Sequence, residues 1–177
     1  MINIIAFIGP SGAGKSTLQG FLDVPPIVTW TSRLPRQGEI DGVDYYFTTQ
    51  DSIRQMFEQG LLLEFTGYNG NLYGTAAASL DALVTAEALG SIIVDSSGAS
   101  KLREKYRERL LLVGVYASEE ECAARLKQRG DANALLRANT YHEEIQAIQR
   151  LADITINNSR ENWERSRKLI QLFKNPC

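Results

Sequence analysis

Residues 9–16 have the types and the spacing that bind phosphate groups. A glycine, four further residues, a glycine, a lysine and a serine follow one another as Gly9-Pro10-Ser11-Gly12-Ala13-Gly14-Lys15-Ser16. Glycines let a loop wrap an anion with its backbone N–H groups pointing inward, and the next helix presents its N-terminus to the same charge. In this pattern the lysine reaches the β- and γ-phosphates of a nucleoside triphosphate, and the serine hydroxyl binds Mg²⁺. We name residues 9–16 the phosphate loop; the alternative is a glycine-rich turn that holds no ligand.

Arginine and tyrosine side chains form a second group between residues 29 and 47. Arg33 and Arg36 stand on either side of Pro35, and Tyr45 follows in the same segment. Two guanidinium groups and a phenol hydroxyl can converge on one phosphate, because the planar fork of arginine matches phosphate oxygens. The alternative is a basic turn that is simply solvated.

Charged residues elsewhere admit both a functional and a structural interpretation. Asp95 ends an apolar strand, and because a buried carboxylate needs partners, we favour a functional role for it. Glu64 is either a carboxylate that accepts from a pair of donors or a surface carboxylate. Arg125 and Arg129 occupy i, i+4 positions of one predicted helix, where they either bind a ligand or are solvated.

These residues must be positioned by the elements that surround them. The apolar, β-branched residues 2–8 predict a buried strand that enters the phosphate loop, and residues 15–22 predict a short helix. Beyond residue 76 we expect helices over 76–89, 100–109, 118–129, 140–151 and 162–173, and strands over 91–94, 110–116 and 153–156. Such alternation predicts a parallel sheet covered on both faces, with ligands at the carboxyl ends of its strands. Residues 27–75 are less regular, with one helix near 51–59.

Composition narrows the class of protein. A chain of 177 residues with 44% hydrophobic residues suits one globular domain. Its 19 basic and 21 acidic residues give a net charge of -2, which argues against bulk nucleic-acid binding. The apolar runs are too short to span a bilayer, the N-terminus lacks the features of a secretory signal, and two cysteines make no disulfide framework. We therefore expect a cytoplasmic protein with neither nucleic acid nor membrane as partner.

Several segments, taken together and in order, resemble the guanylate kinase family over nearly the whole chain. They are Thr31-Ser32-Arg33-Leu34-Pro35-Arg36-Gln37-Gly38-Glu39, Gly42, Tyr45-Tyr46-Phe47, Glu64, Gly70-Asn71-Leu72-Tyr73-Gly74-Thr75 and Asp95-Ser96-Ser97-Gly98. The resemblance implies a single α/β domain of the P-loop NTPase type over residues 1–177, with a parallel sheet flanked by helices. Its core would comprise residues 1–27 and 76–177, a small mobile arm about residues 28–75, and a short lid about residues 129–138.

The resemblance also implies a reaction and a role for individual residues. The reaction is transfer of a phosphoryl group from ATP to GMP with Mg²⁺, in purine nucleotide metabolism. The residues implied to bind ATP are Gly9, Pro10, Ser11, Gly12, Ala13, Gly14, Lys15, Ser16, Thr17 and Asn157. Those implied to bind GMP are Thr29, Arg33, Arg36, Tyr45, Glu64, Tyr73, Thr75 and Asp95. Catalysis would fall to Lys15, Arg129 and Arg137, and Ser16 would bind the metal.

The sequence departs from the family at three places. Ile93 stands where the family commonly has an acid, which affects the expected handling of the metal. The segment between Arg129 and Arg137 is shorter than usual, and so is the segment between Lys15 and Thr29. Two alternatives therefore stay open: a non-catalytic guanylate-kinase-like module that binds phosphorylated proteins, and a related small-molecule kinase that resembles ribose 1,5-bisphosphate phosphokinase.

Overall fold

The computed structural model describes residues 1–36, 38–68, 70–128 and 140–173, which form two sheets and seven α-helices. The strands are β1 (Ile4–Ile8), β2 (Thr29–Thr31), β3 (Tyr45–Phe47), β4 (Leu62–Tyr68), β5 (Asn71–Ala76), β6 (Gly90–Ile93), β7 (Leu110–Tyr116) and β8 (Ile154–Asn157). The helices are α1 (Lys15–Phe21), α2 (Gln50–Glu58), α3 (Ala77–Thr85), α4 (Ser96–Tyr106), α5 (Glu119–Gln128), α6 (Tyr141–Leu151) and α7 (Trp163–Leu172).

The first sheet is parallel and has the strand order β6-β1-β7-β8. Its central strand, β1, is buried along its whole length, because successive side chains enter the apolar cores on opposite faces. Ile4 packs in the core that includes residues of α3, α4 and α6, whereas Ile5 packs in the core that includes residues of α1, α5 and α7. The predicted α/β class, with helices on both faces of a parallel sheet, is confirmed.

The predicted site segments follow strands that end at one edge of this sheet. Because β1, β6 and β8 run in the same direction, the phosphate loop and Asp95 follow carboxyl ends on that edge, and Asn157 is the last residue of β8 on the same edge. Residues on different strands are thereby brought to one end of the molecule, as the alternation of elements predicted.

The second sheet contains β2 to β5, which the sequence did not predict. Its strand order is β3-β2-β5-β4, and β4 and β5 form an antiparallel hairpin. The helix expected near 51–59 is α2, and it packs on this sheet over Ile53, Leu62 and Leu72. The strands were missed because β2 and β3 are very short and mostly not buried, so their alternation of apolar and polar residues is weak.

One predicted helix begins earlier than expected. The sequence predicted a helix over 100–109, whereas α4 begins at Ser96 and ends at Tyr106, before a short 3₁₀ turn. The reason is that Asp95 caps the helix: its carboxylate accepts a hydrogen bond from the Gly98 N–H at 2.8 Å. In the described part of the chain, no helix has the length and apolarity needed to cross a membrane.

Candidate functional site

The phosphate loop has a backbone that other residues cannot adopt without strain. Gly9, Gly12 and Gly14 have φ angles of 135°, 85° and 92°. These values fall in the region that favours glycine. A Cβ atom at Gly12 would also lie 2.5 Å from the carbonyl oxygen of Cys122 in α5. The glycines of the motif are therefore required by local geometry, as their spacing predicted.

Lys15 turns back over the loop that precedes it. Its ammonium group donates hydrogen bonds to the carbonyl oxygens of Gly9 and Pro10, the latter at 3.1 Å. Ser16 and Thr17 follow in the first turn of α1 and are exposed. A cation and two hydroxyl groups thus lie together beside a glycine-rich backbone, an arrangement able to bind a polyphosphate.

Strand register places the predicted arm residues on one face of the second sheet. Thr29 pairs with Tyr45, and Glu64 pairs with Thr75, two residues after Tyr73. Thr31, two residues after Thr29, pairs with Tyr73 and so links the two pairs. Since side chains alternate between faces and paired residues share a face, Thr29, Tyr45, Glu64, Tyr73 and Thr75 project from the same side. The opposite face carries the apolar side chains that pack on α2, including Trp30, Phe65 and Leu72.

Arg33 lies beside two of these aromatic residues and is held by a carboxylate. Its Nη1 and Nη2 atoms donate to the two carboxylate oxygens of Glu39 at 2.9 and 2.8 Å. Its guanidinium carbon lies 5.4 Å from the ring centroid of Tyr45, which meets Tyr73 edge to face at 6.0 Å between centroids. Hydrogen bonding to Arg33 lowers the pKa of Glu39, and the reciprocal bond raises the pKa of Arg33. The pairing fixes the arginine as a cation beside two phenol groups.

Arg36 and Glu39 show where the sequence interpretation was incomplete. The structure brings Arg33 and Tyr45 together, whereas the Arg36 side chain is exposed and its backbone N–H donates to Glu39 at 2.7 Å. No role was predicted for Glu39, although its opposite charge near Arg33 and Arg36 was a usable signal.

Glu64 is a buried carboxylate with a defined partner. Its exposed fraction is 5%, and the Thr75 hydroxyl donates to its Oε1 atom at 2.5 Å. Burial raises the pKa of Glu64 and nearby Asp95 raises it further, while the Thr75 hydrogen bond and the charge of Lys101 act in the opposite direction. A Cβ atom at Gly98 would lie 3.4 Å from the Glu64 carboxyl carbon, so α4 closely approaches the carboxylate. Glu64, Thr75 and Asp95 are thus brought together. Asp95 is exposed, however, so the expectation of a buried carboxylate at this position is wrong.

The remaining predicted residues have different surroundings. Asn157 is exposed at the end of β8, and its side-chain oxygen accepts from the Ser159 N–H at 3.1 Å. Ile93 is half-buried and packs against the core that contains Ile5. Arg129 and Arg137 lie outside the described residues. Two further residues, Arg125 and Asn158, contact the backbone of the phosphate loop; spacing along the chain gave no signal for Asn158.

A divalent cation would find few protein ligands here. Over the described ranges, no group of three or more His, Cys, Asp and Glu side chains could hold a metal ion. The exposed Ser16 hydroxyl is a hard oxygen ligand of the kind Mg²⁺ accepts. Mg²⁺ commonly keeps several waters and binds substrate phosphates, so this donor set fits a metal that arrives with a nucleotide.

A family model and individual relatives of known name match this chain over most of its length. The family model described as Guanylate kinase matches residues 1–166. The guanylate kinase of Rubrobacter xylanophilus is 32% identical, over 97% of this chain and 93% of that protein. The guanylate kinase of Prochlorococcus marinus is 31% identical, over 95% of this chain and 96% of that protein.

Solved structures share the fold. The crystal structure of guanylate kinase from Anaplasma phagocytophilum superimposes with a TM-score of 0.75 at 24% identity, covering 98% of this chain and 84% of that one. A shikimate kinase from Acinetobacter baumannii gives a TM-score of 0.51 at 16% identity, covering 98% of this chain and 93% of its own. At these identities the likeness concerns the fold.

Proposed function

This chain belongs to the guanylate kinase family, and from that premise we propose that it transfers the terminal phosphoryl group of ATP to GMP, forming ADP and GDP. The observation that carries the proposal is the shared face of the second sheet. That face presents a fixed arginine with two phenol groups and a buried carboxylate, suited to a phosphate and a guanine respectively. The phosphate loop supplies the second nucleotide site.

Guanine recognition follows from the chemistry of Glu64. Guanine presents two adjacent donors, N1–H and the 2-amino group, and one carboxylate can accept from both. Adenine lacks this donor pair and would leave the buried Glu64 poorly matched, which is costly in a closed site. Thr75 orients the carboxylate through its hydroxyl, and Asp95 lies close enough to complete the pocket.

Phosphate binding in the arm depends on Arg33 and its neighbours. The bidentate pair with Glu39 holds the guanidinium beside Tyr45 and Tyr73, so its position is set before GMP arrives. Pre-positioning of this kind lowers the entropy lost on binding. Arg36 is close in the chain and exposed, so it can turn toward the same phosphate.

The transfer step requires positioning and neutralisation of charge, with no covalent intermediate on the protein. Lys15 would exchange its hydrogen bonds with Gly9 and Pro10 for bonds to the β- and γ-phosphates of ATP. The acceptor phosphate of GMP is already an anion near neutral pH, so no strong general base is needed. Arg129 and Arg137 are proposed to close over the transferring group and exclude water.

Ser16 is proposed to hold, through its hydroxyl, a Mg²⁺ ion that accompanies ATP. When bound, the cation would supply positive charge against the phosphates of ATP. Because Ile93 offers no carboxylate, the nucleotide and water must supply most of the remaining ligands. Asn157 is proposed to lie near the adenine of ATP. The cytoplasmic location of the protein, which was expected from the sequence, stays a prediction.

The relatives do not favour either alternative. The two curated relatives described above, which match nearly the full chain, are both named guanylate kinase. A module that only binds phosphorylated proteins would have no use for the lysine and glycine geometry of the phosphate loop. A kinase for a sugar phosphate would have no use for the buried pair of Glu64 and Thr75.

The test is ADP formation from ATP and Mg²⁺ with GMP, dGMP, AMP, CMP, UMP or no acceptor. We expect turnover with GMP, or with GMP and dGMP, and background rates with the other acceptors. If no acceptor supported ADP formation while calorimetry still showed GMP binding, the enzymatic proposal would be overturned. The non-catalytic binding module would then explain the data better.

A further inference from the structure

Two side chains outside the phosphate loop hold its backbone. The Asn158 amide nitrogen donates to the Ala13 carbonyl oxygen at 2.8 Å. From α5, Arg125 Nη1 donates to the Gly12 carbonyl at 3.2 Å and lies 3.5 Å from the Ala13 carbonyl, while Nη2 donates to the Asn158 carbonyl at 2.9 Å. These bonds join the loop, α5 and the segment after β8 into one connected group.

We propose that Asn158 and Arg125 are positioning residues that hold the phosphate loop in the shape that receives ATP. The inference rests on the proposed function of that loop. Both residues act through the backbone at Gly12 and Ala13, on the side of the loop that faces α5 and β8. They differ from Lys15, which is proposed to contact the nucleotide itself.

The burial of Asn158 shows that packing alone does not account for an amide at this position. Its exposed fraction is 2%, and its Oδ1 atom has no hydrogen-bond partner among the residues that the structure describes. Burying an unpaired acceptor is costly, and an apolar side chain would avoid that cost. The bond from the amide nitrogen to Ala13 is the gain that offsets it.

The Asn158 side chain also packs against Gly14, the last glycine of the phosphate loop. A Cβ atom at Gly14 would collide with the Asn158 amide nitrogen. The Asn158 backbone is fixed in turn, because its N–H donates to the Tyr116 carbonyl of β7 at 2.6 Å. The amide therefore fills the space beside the loop from a rigid support, and its loss would let the loop relax toward β8.

Arg125 adds a planar set of donors. One guanidinium group reaches carbonyl oxygens of Gly12, Ala13 and Asn158 at once. A lysine ammonium carries the same charge but lacks the fixed fork of donors. The Glu121 carboxylate, one turn earlier in α5, lies 3.9 Å from Arg125 and supports this orientation.

Asn158→Ala tests the proposal, with Asn3→Ala as its matched control. Asn3 is also fully buried and donates its amide to a backbone carbonyl, that of Ala88, at 3.0 Å. It precedes β1 and so lies at the edge of the sheet away from the loop. For Asn158→Ala we expect ADP, titrated by calorimetry with Mg²⁺, to bind about tenfold more weakly, the loss of about one hydrogen bond.

Steady-state kinetics separate positioning from general destabilisation. Asn158→Ala should raise the KM for ATP and leave the KM for GMP unchanged. Asn3→Ala should lower the melting temperature and leave both values unchanged. Equal ADP affinity in Asn158→Ala and the wild type would overturn the proposal. The ADP titration contains no GMP, so it stays informative even if GMP phosphorylation is refuted.

Arg125→Lys extends the test to a side chain that is partly exposed. The lysine keeps the positive charge near the nucleotide and removes the fork of donors. We expect severalfold weaker ADP binding, again with an unchanged KM for GMP. ADP binding as tight as in the wild type would show that the carbonyl contacts of Arg125 are dispensable and would remove it from the proposal.

Discussion

At the scale of single residues, we expect the positive charge of Lys15 in the phosphate loop to be required for turnover. Lys15→Ala removes the ammonium group proposed to bind the β- and γ-phosphates of ATP. We therefore expect kcat to fall about 10²- to 10³-fold, as for other preorganised donors. GMP affinity should stay within about twofold, since GMP is proposed to bind the arm. Lys127→Ala, an exposed lysine of α5, is the control and should keep normal activity. A loss of GMP affinity in Lys15→Ala would contradict our assignment of the loop to ATP.

Glu64 gives the site a dependence on pH. Its ionised form is proposed to accept hydrogen bonds from guanine, and burial together with Asp95 raises its pKa. As the pH falls through this raised pKa the carboxylate becomes protonated, so the KM for GMP should rise at a higher pH than the ordinary glutamate value of about 4.3 predicts. Lys101→Met removes a charge that lowers the Glu64 pKa and should move the rise to still higher pH.

The control for this pH profile is Glu64→Gln. An amide cannot accept from both guanine donors, so kcat/KM for GMP should fall about ten- to a hundredfold. The low-pH rise in the KM for GMP should also disappear. Unchanged preference for GMP over AMP in Glu64→Gln would refute the recognition role of this residue.

The sequence predicted the residues of the phosphate loop more fully than it predicted the side chains that hold the site residues in place. The glycine, lysine and serine spacing is local and therefore visible in the chain. Asn158 contacts Ala13, which lies 145 positions earlier in the chain, so this contact leaves no short-range pattern and no role was predicted for Asn158. Glu39 lies six positions after Arg33, so its opposite charge was a local signal that the sequence interpretation missed.

At the scale of elements, Asp95 links α4 to the site. Its carboxylate caps the helix, and it is also proposed to contact guanine. Asparagine caps helices about as well as aspartate, whereas alanine costs about 1 kcal/mol. We expect Asp95→Asn to keep the free energy of unfolding and Asp95→Ala to lower it, as measured by urea denaturation. Both should raise the KM for GMP; a normal KM in Asp95→Asn would leave only the capping role.

The elements of the core sheet could be predicted because burial on both faces makes their strands continuously apolar. The strand predicted over 110–116 is observed as β7, Leu110–Tyr116. The second sheet was not predicted, because β2 and β3 have only three residues each. β4 and β5 are longer, but they contain Gly67 and Gly74, and glycine is typical of turns and weakens a strand pattern.

At the scale of the whole molecule, nucleotide binding should be visible as stability. A ligand that binds only the folded state at about 100 times its Kd adds about 2.7 kcal/mol to the free energy of unfolding. For a chain of this size that corresponds to a rise in Tm of about 5 to 10 °C. GMP should produce this shift and equimolar CMP should not. Equal shifts with both nucleotides would contradict a guanine-specific pocket.

The apolar core beneath the second sheet is small. Among the residues that the structure describes, its buried side chains are Ile53, Leu62 and Leu72, whereas the parallel sheet is buried on both faces. Segments with little buried apolar surface open locally at a lower free energy than the rest of a protein. Amide protons of β2 to β5 should therefore exchange with deuterated solvent long before those of β1. On this expectation the parallel sheet stays closed while the second sheet opens and closes locally, and bound substrate reduces the frequency of that opening.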